Sequence, residues 1–259
     1  MKRYSIFHAL YLSFFSNGLY QDVRKNWKGT VFLYLLVLLA LTWLPVMVSV
    51  HAGLSDFVEN EAPKYVNQIP KITITRGEVS LDRPAPYAII DPDTSAPLIV
   101  IDPSGKIASL DQTLAPALLT KTKFMMRQRH RAETRIYDLS QIENLTIERE
   151  QVNGWVQAFK KWFAFVAYPF ALAFSYAYRI IQVLLYAAIG MLFARLLKAS
   201  LDYMDVVRLA AVAITPVIIL TTVRTLWGFH VPYFWPLCFL VAMGYLFFAV
   251  KANAGKGPE

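Results

Sequence analysis

Four stretches of this chain lack the ionic side chains that would keep them in water. Residues 30–50 carry no charge, residues 162–194 are apolar except for Arg179, residues 209–223 are uncharged between Arg208 and Arg224, and residues 231–250 run uncharged to Lys251. About 20 apolar residues in a helix cross a hydrocarbon layer about 30 Å thick. The pattern therefore predicts an integral membrane protein and excludes an ordinary soluble enzyme, a disordered tail and a disulfide-stapled scaffold. Composition agrees, with 56% hydrophobic and 17% charged residues against about 25% charged in soluble domains. The single cysteine, Cys238, lies in an apolar block, which excludes an internal disulfide and two-cysteine redox chemistry.

The first span is residues 30–50, with a bend at Pro45. A secretory signal peptide is the competing reading, but its apolar region is shorter and Val48-Ser49-Val50-His51-Ala52 is a poor cleavage site. Segment 162–194 would make roughly 50 Å of helix, more than one span needs and too little for two with a turn. The expectation is a second span at 175–197, with 162–174 broken at Pro169 and lying at the outer interface or against other helices. A third span follows at 206–227, a tight turn at 228–232 and a fourth span at 231–250. The fold class is thus a four-span α-helical bundle with an inserted α+β extracytoplasmic domain. Its parts are a cytoplasmic amphipathic tail (1–29), the first span (30–51), the inserted domain (52–160), the C-terminal bundle (161–250) and a short tail (251–259).

Charge sets the expected orientation. Residues 52–160 carry 13 basic and 14 acidic residues, and the remainder carries 13 basic and 4 acidic ones, so the net charge of +8 belongs to the membrane part. It reads as a topology determinant and headgroup contact, not as a nucleic-acid face. Lys2, Arg3, Arg24, Lys25 and Lys28 precede the first span, Arg195, Lys198 and Arg208 join spans two and three, and Lys251 and Lys256 follow span four. With four spans all three basic segments fall on one side. That places both termini in the cytoplasm and residues 52–160 outside.

In the tail, Phe7, Leu10, Tyr11, Phe14 and Phe15 recur at helical spacing, and a second short piece ends in Arg24, Lys25, Trp27 and Lys28. An aromatic body with a cationic end fits a helix in the headgroup layer of an anionic leaflet; packing of this face on the bundle's own cytoplasmic ends is the other reading, and docking of a cytoplasmic partner a third. Within the inserted domain the apolar period becomes two. Expected strands cover 71–75, 78–81, 87–90, 97–101 and 106–110, with turns at Arg76-Gly77, 91–95 and Pro103-Ser104-Gly105. Asp111 is expected to cap a short helix to about Leu119, 121–129 and 134–138 to pair as strands, and Ser140-Gln141-Ile142-Glu143 to form a capping box. A helix then leads from about Thr146 to the membrane. The total is five to seven short strands.

Three of these stretches resemble a family of bacterial inner-membrane proteins catalogued as a domain of unknown function, some labelled for maltodextrin utilisation. They are residues 14–23 (FFSNGLYQDV) running into Asn26-Trp27-Lys28-Gly29, residues 72–79 (ITITRGEV), and residues 100–105 (VIDPSG). Together with the placement of the spans they cover most of the chain. The resemblance implies the bacterial inner membrane as the setting. It brings no established activity and no catalytic residues, and nothing in these stretches resembles a sugar site.

Residues that could carry chemistry are few. His8, His51, His130 and His230 show no metal-ligand spacing, although His51 and His230 should both lie near the outer membrane face. Asp91, Asp93, Ser95 and Asp102 mimic a calcium loop, but Ala96 stands where the sharp turn wants Gly; an ordinary turn is the plainer reading. Arg127, Arg129 and Arg131 alternate on one strand face, either binding anions or solvated beside Glu133 and Asp138. Arg179 stands out, because an ionisable residue inside a span is a functional candidate by default. Helical rise places it about 24 Å from Arg195, with Gln182 one turn on along the same face and no acidic residue inside any span. It reads as an outer-leaflet anchor or as a contact to an anionic lipid or partner subunit. Arg179, Gln182, Arg24, Lys25, Trp27 and Lys28 are therefore the candidate lipid or partner contacts. No cofactor, metal or nucleic acid is called for. The functional expectation is a non-enzymatic accessory, scaffold or sensor of a membrane complex, whose outer domain engages a protein partner; a small transporter or lipid-handling protein is the alternative.

Overall fold

The computed structural model describes residues 2–128, 133–229 and 231–254, and the chain divides into two compact units, residues 1–50 with 164–259 and residues 51–163. Four helical segments among the described residues are long and apolar enough to cross a membrane: Thr30–Val66, Arg149–Leu196, Tyr203–Trp227 and Phe234–Lys251.

The helical unit begins with α1 (Ile6–Leu12) and α2 (Asn17–Asn26). Ser5 and His8 form a reciprocal capping box on α1, and the Ser16 hydroxyl caps α2, so the tail's two pieces are cut by their own serines. The first long helix, α3 (Thr30–Asp56), continues through Pro45, then passes through a π-helical turn (Phe57–Glu61) into α4 (Ala62–Val66). Helix α5 (Arg149–Leu196) is unbroken for 48 residues and contains Pro169. The expected break at Pro169 is therefore corrected: one missing N–H costs about 3 kcal/mol, too little to end a helix whose apolar flanks have no other way to pair their backbone.

The expected third span is divided instead. Helix α6 (Tyr203–Ala213) and helix α7 (Thr215–Trp227) meet at Ile214. Pro216 has no N–H for the carbonyl of Val212, and the Thr215 hydroxyl donates to that carbonyl at 2.7 Å in its place. Because Thr215 donates there, the buried Tyr34 hydroxyl donates to Thr215 at 2.6 Å. Tyr34→Phe should lower stability by only about 0.6 kcal/mol, the average for such bonds between apolar helices; a thermal midpoint more than a few degrees lower would show that the pair matters more. Gly228 at φ 65° ends α7, and α8 (Phe234–Lys251) completes the unit.

Small residues let these helices approach closely. Ala187, Gly190 and Ala194 form a buried stripe on α5, and a Cβ built on Gly190 would lie 2.6 Å from Val206 Cγ1 and 3.0 Å from Leu246 Cδ2. Outside this core, Leu33, Leu41, Leu44 and Val48 of α3, Phe170, Phe174, Ile181 and Leu185 of α5, and Leu237 and Leu240 of α8 are exposed. The helices are thus apolar on their outer faces as well as their inner ones, which is compatible with helices that cross a membrane.

The other unit is α+β with two sheets. Strands β1 (Ile72–Thr75), β2 (Glu78–Leu81) and β8 (Asn144–Ile147) form one, in the order β2-β1-β8; β3 (Tyr87–Ile90), β4 (Pro97–Asp102), β5 (Ala117–Thr120), β6 (Lys123–Arg127) and β7 (Thr134–Asp138) form the other, in sequence order with β4 and β5 parallel. The β1–β2 hairpin turns at Arg76-Gly77. Gly77 has φ 80°, and a Cβ there would come within 2.7 Å of the Ser140 backbone. Ile72, Ile74 and Val79 of the small sheet pack with Ile101, Leu119 and Leu139. Val100, Leu110, Ala115 and Leu118 form a second cluster, because adjacent residues of β4 and β5 point to opposite faces of the large sheet.

Four local expectations are corrected here. Residues 106–110 form no strand, and the expected helix from Asp111 to Leu119 is a single 3₁₀ turn (Leu110–Gln112) capped by Ser109, followed by β5. The expected capping box at Ser140 is a turn leading into β8. The strand count is eight among the described residues, not five to seven.

Candidate functional site

The two ends of the helical unit differ in chemistry. At one end α2 closes onto the ends of α6 and α8. Arg24 pairs with Asp205 at 3.4 Å and donates to the Ser200 carbonyl at 2.5 Å. Arg208 donates to the Arg24 carbonyl at 3.0 Å and to Asp205 at 2.9 Å. Gln21 donates to the Ala252 carbonyl, and Asn253 to the carbonyls of Tyr20 and Ala249. The three basic segments of the sequence, before α3, between α5 and α6, and after α8, are therefore bonded together at one end.

Asp22 organises this end. Its carboxylate accepts the main-chain N–H groups of Arg3 and Tyr4, the Asn26 amide at 2.7 Å and the Trp27 indole N–H at 3.0 Å. Burial by itself would raise its pKa; the donors from Asn26, Arg3, Trp27 and Tyr4 outweigh it and hold the carboxyl below the ordinary value. Of the expected contact residues here, Trp27 is fully buried against Tyr34, so its assignment as a lipid or partner contact is corrected. Arg24 is occupied internally, whereas Lys25 and Lys28 are exposed. The two readings of the tail separate by helix: α2 buries Leu19, Tyr20 and Val23 in the bundle, while Phe7, Tyr11 and Phe15 on and after α1 are exposed.

Toward the other end of the bundle lies a cavity of about 260 Å³ between α5, α7 and α8. Arg179, Gln182 and Tyr186 line it from α5, one turn apart on one face. Arg179 Nη1 donates to Gln182 Oε1 at 2.6 Å, and Gln182 donates onward to the Tyr186 hydroxyl at 2.8 Å. From α7, Arg224 enters the same cavity; its guanidinium lies 4.3 Å over the Phe234 ring, and its Nε donates to the Phe229 carbonyl at 3.2 Å. Thr221 and Thr225 stand beside it, and Cys238 lines the α8 wall. Arg179 Nε is buried with no hydrogen-bond partner. Among the described residues no carboxylate pairs with Arg179 or Arg224, since every ion pair lies elsewhere. A smaller hollow on the α3 side, reaching Thr42 and Ser175, shares Arg179 and Thr221. The cavity thus presents two guanidiniums and aromatic walls, with no counter-ion among the described residues.

Arg179 and Gln182 thus stand together as the sequence placed them. Arg224, read only as a span boundary, was missed as their companion. The signal was present, because the same number of residues separates Arg179 from Arg195 and Arg208 from Arg224. By helical rise sixteen residues span about 24 Å of backbone, counted through the α6–α7 junction for Arg224.

The remaining candidates resolve into structural roles or fall elsewhere. Asp102 is buried on β4, where its carboxylate accepts from Ser104 and Ile107, while Asp91 caps its own turn through Asp93; no group of three His, Cys, Asp or Glu among the described residues could hold a metal. Arg127 donates to the Leu110 carbonyl at 2.9 Å. Arg129, Arg131, His130, His230 and Lys256 lie outside the described residues.

Together these features define a class: a bundle of long apolar helices with a two-sheet α+β unit inserted after the first of them. The chain belongs to the family described as "Protein of unknown function (DUF1189)", which matches residues 7–250. No curated protein and no solved structure matches it.

Proposed function

We propose that this protein is a multi-pass component of a bacterial inner membrane, with both termini in the cytoplasm and residues 52–160 outside. Its role on this reading is non-enzymatic: an accessory, scaffold or sensor whose outer domain engages a protein partner. The observation that carries the orientation is the meeting of the three basic segments at one end of the bundle, where positive charge favours the cytoplasmic side. Support for a partner-binding outer domain comes from β7. It is an edge strand, exposed along its whole length including Ile136 and Tyr137, and an unpaired edge accepts another chain's strand.

Reporter fusions test the orientation. A cytoplasmic signal is expected at the C-terminus and an external one near Ser104; the reverse at either position overturns the topology. Purification in mild detergent tests the partner. A stoichiometric protein that is lost when Ile136 is changed to Lys is expected, and recovery of the chain alone overturns the scaffold reading. The lipid-handling alternative is favoured by one observation, the paired arginines of the cavity.

A further inference from the structure

We infer that the cavity between α5, α7 and α8 holds the headgroup of an anionic glycerophospholipid from the outer leaflet, a phosphodiester bearing hydroxyls rather than an amine. The inference rests on the membrane-embedded part of the reading above and is independent of any protein partner.

Charge comes first. Two guanidiniums share one cavity with no carboxylate among the described residues to balance them. Arg179 Nε is buried without an acceptor, and among the described residues the hydrogen bond Arg224 donates is from its Nε, to a carbonyl. The donors left over are planar forks, the geometry that matches a phosphate's oxygens in pairs.

The neutral groups select the rest of the headgroup. Thr221 donates its hydroxyl hydrogen to the Ile218 carbonyl, and Thr225 donates to the Thr221 carbonyl. Each oxygen is left as an acceptor at the cavity, suited to a ligand hydroxyl. An ammonium headgroup would also donate, but it would sit against two fixed positive charges.

Size and surroundings indicate a lipid rather than a free anion. At about 260 Å³ the cavity is smaller than the roughly 300–1,000 Å³ of sites that enclose a whole drug-sized ligand, so a headgroup enters and acyl chains stay outside. Tyr178, Trp235 and Phe239 at the rim are all exposed on the bundle's outer surface, which gives those chains an apolar track. The height agrees, since about 24 Å of backbone by helical rise separates Arg179 from Arg195 and, counted through the α6–α7 junction, Arg224 from Arg208, near the far boundary of a hydrocarbon layer about 30 Å thick.

The test is native mass spectrometry of the full chain in detergent, titrated separately with phosphatidylglycerol, phosphatidylethanolamine and sodium phosphate. Phosphatidylglycerol should bind about tenfold more tightly than phosphatidylethanolamine, and Arg179→Gln or Arg224→Gln should each weaken it about tenfold, the effect of losing one charge-assisted contact. Arg224→Lys, which keeps the charge, should retain part of the preference, and Lys106→Gln, at an exposed position of the α+β unit, should change nothing. Variants are compared only after eluting as a single species. Equal binding of the two lipids, or unchanged binding in both Gln variants, overturns the inference. Inorganic phosphate displacing the lipid at equal concentration overturns the lipid source and leaves a free-anion site. Failure of the topology shows instead in the reporter fusions, which lipid selectivity does not affect.

Discussion

Gly190→Leu is expected to leave little folded protein in the membrane fraction. Even the first added carbon would sit 2.6 Å from Val206 Cγ1 and 3.0 Å from a methyl of Leu246, and leucine adds three more. Both neighbours are themselves buried, Val206 among the α6 residues and Leu246 among those of α8, so neither can swing into open space. Overpacking of this kind costs about 1–3 kcal/mol and occasionally more; because α6 and α8 are both displaced, about 3 kcal/mol or more is expected for Leu and about half that for Ala. Native stability is only about 5–15 kcal/mol. The readout is the yield of monodisperse protein in detergent and its thermal midpoint. A Leu variant with the midpoint of the unmutated chain would show that α5 does not approach α6 and α8 at this point.

The sequence carried the long helices plainly, because residues without charge over 20 positions have few structures open to them. The β1–β2 hairpin was equally legible, since Ile72 and Ile74 alternate with Thr73 and Thr75 around a turn that needs a positive φ. What it concealed depends on partners distant in the chain. Leu118 and Leu119 are both buried, on opposite faces of β5, and a short run apolar on both sides reads as strand or helix alike; its parallel pairing with β4 decides the matter. Residues 144–147 pair with β1, more than sixty residues earlier, and the local capping signal at Ser140 obscured them. The proline reading failed for a related reason. Pro169 looked like a helix end, but α5 runs through it, while the division inside the expected third span falls at Ile214, just before Pro216. There the Thr215 hydroxyl serves the Val212 carbonyl that Pro216 leaves without an N–H.

The candidate site was half legible. A lone arginine in an apolar run announces Arg179, whereas Arg224 near a span boundary looks like any snorkelling end residue. Only the packing of α7 beside α5 and α8 makes them face one cavity. Trp27 failed in the opposite direction. Beside Arg24, Lys25 and Lys28 it looked interfacial, but the Asp22 carboxylate one turn back accepts its indole N–H and draws it inside.

That carboxylate sets the second large effect. Asp22→Ala should release the N-terminal tail from the bundle. The substitution strips acceptors from the N–H groups of Arg3 and Tyr4 and from the indole of Trp27, which has no exposure to water. Each buried donor left unpaired costs about 1–3 kcal/mol, and with partial rescue by water at the Arg3 end a loss of about 3 kcal/mol is expected. The loss is local, because α3 and α5–α8 retain their own packing. Hydrogen exchange should therefore accelerate across residues 3–27 while residues 183–218 stay protected. The pH dependence follows from the sign of the shift. A carboxyl whose folded pKa lies below its unfolded value stabilises the fold fully at neutral pH, and that contribution fades as pH falls below the unfolded value of about 3.9 toward the lower folded one. Acidification through that window should loosen the tail in the unmutated chain, and Asp22→Asn, which cannot titrate, should be loose already at neutral pH and lack the acid step. Tail exchange in Asp22→Ala as slow as in the unmutated chain would mean that buried Tyr20 and Val23, the Arg24–Asp205 pair and the bonds of α2 to Ala252 and Asn253 hold the tail without the carboxylate.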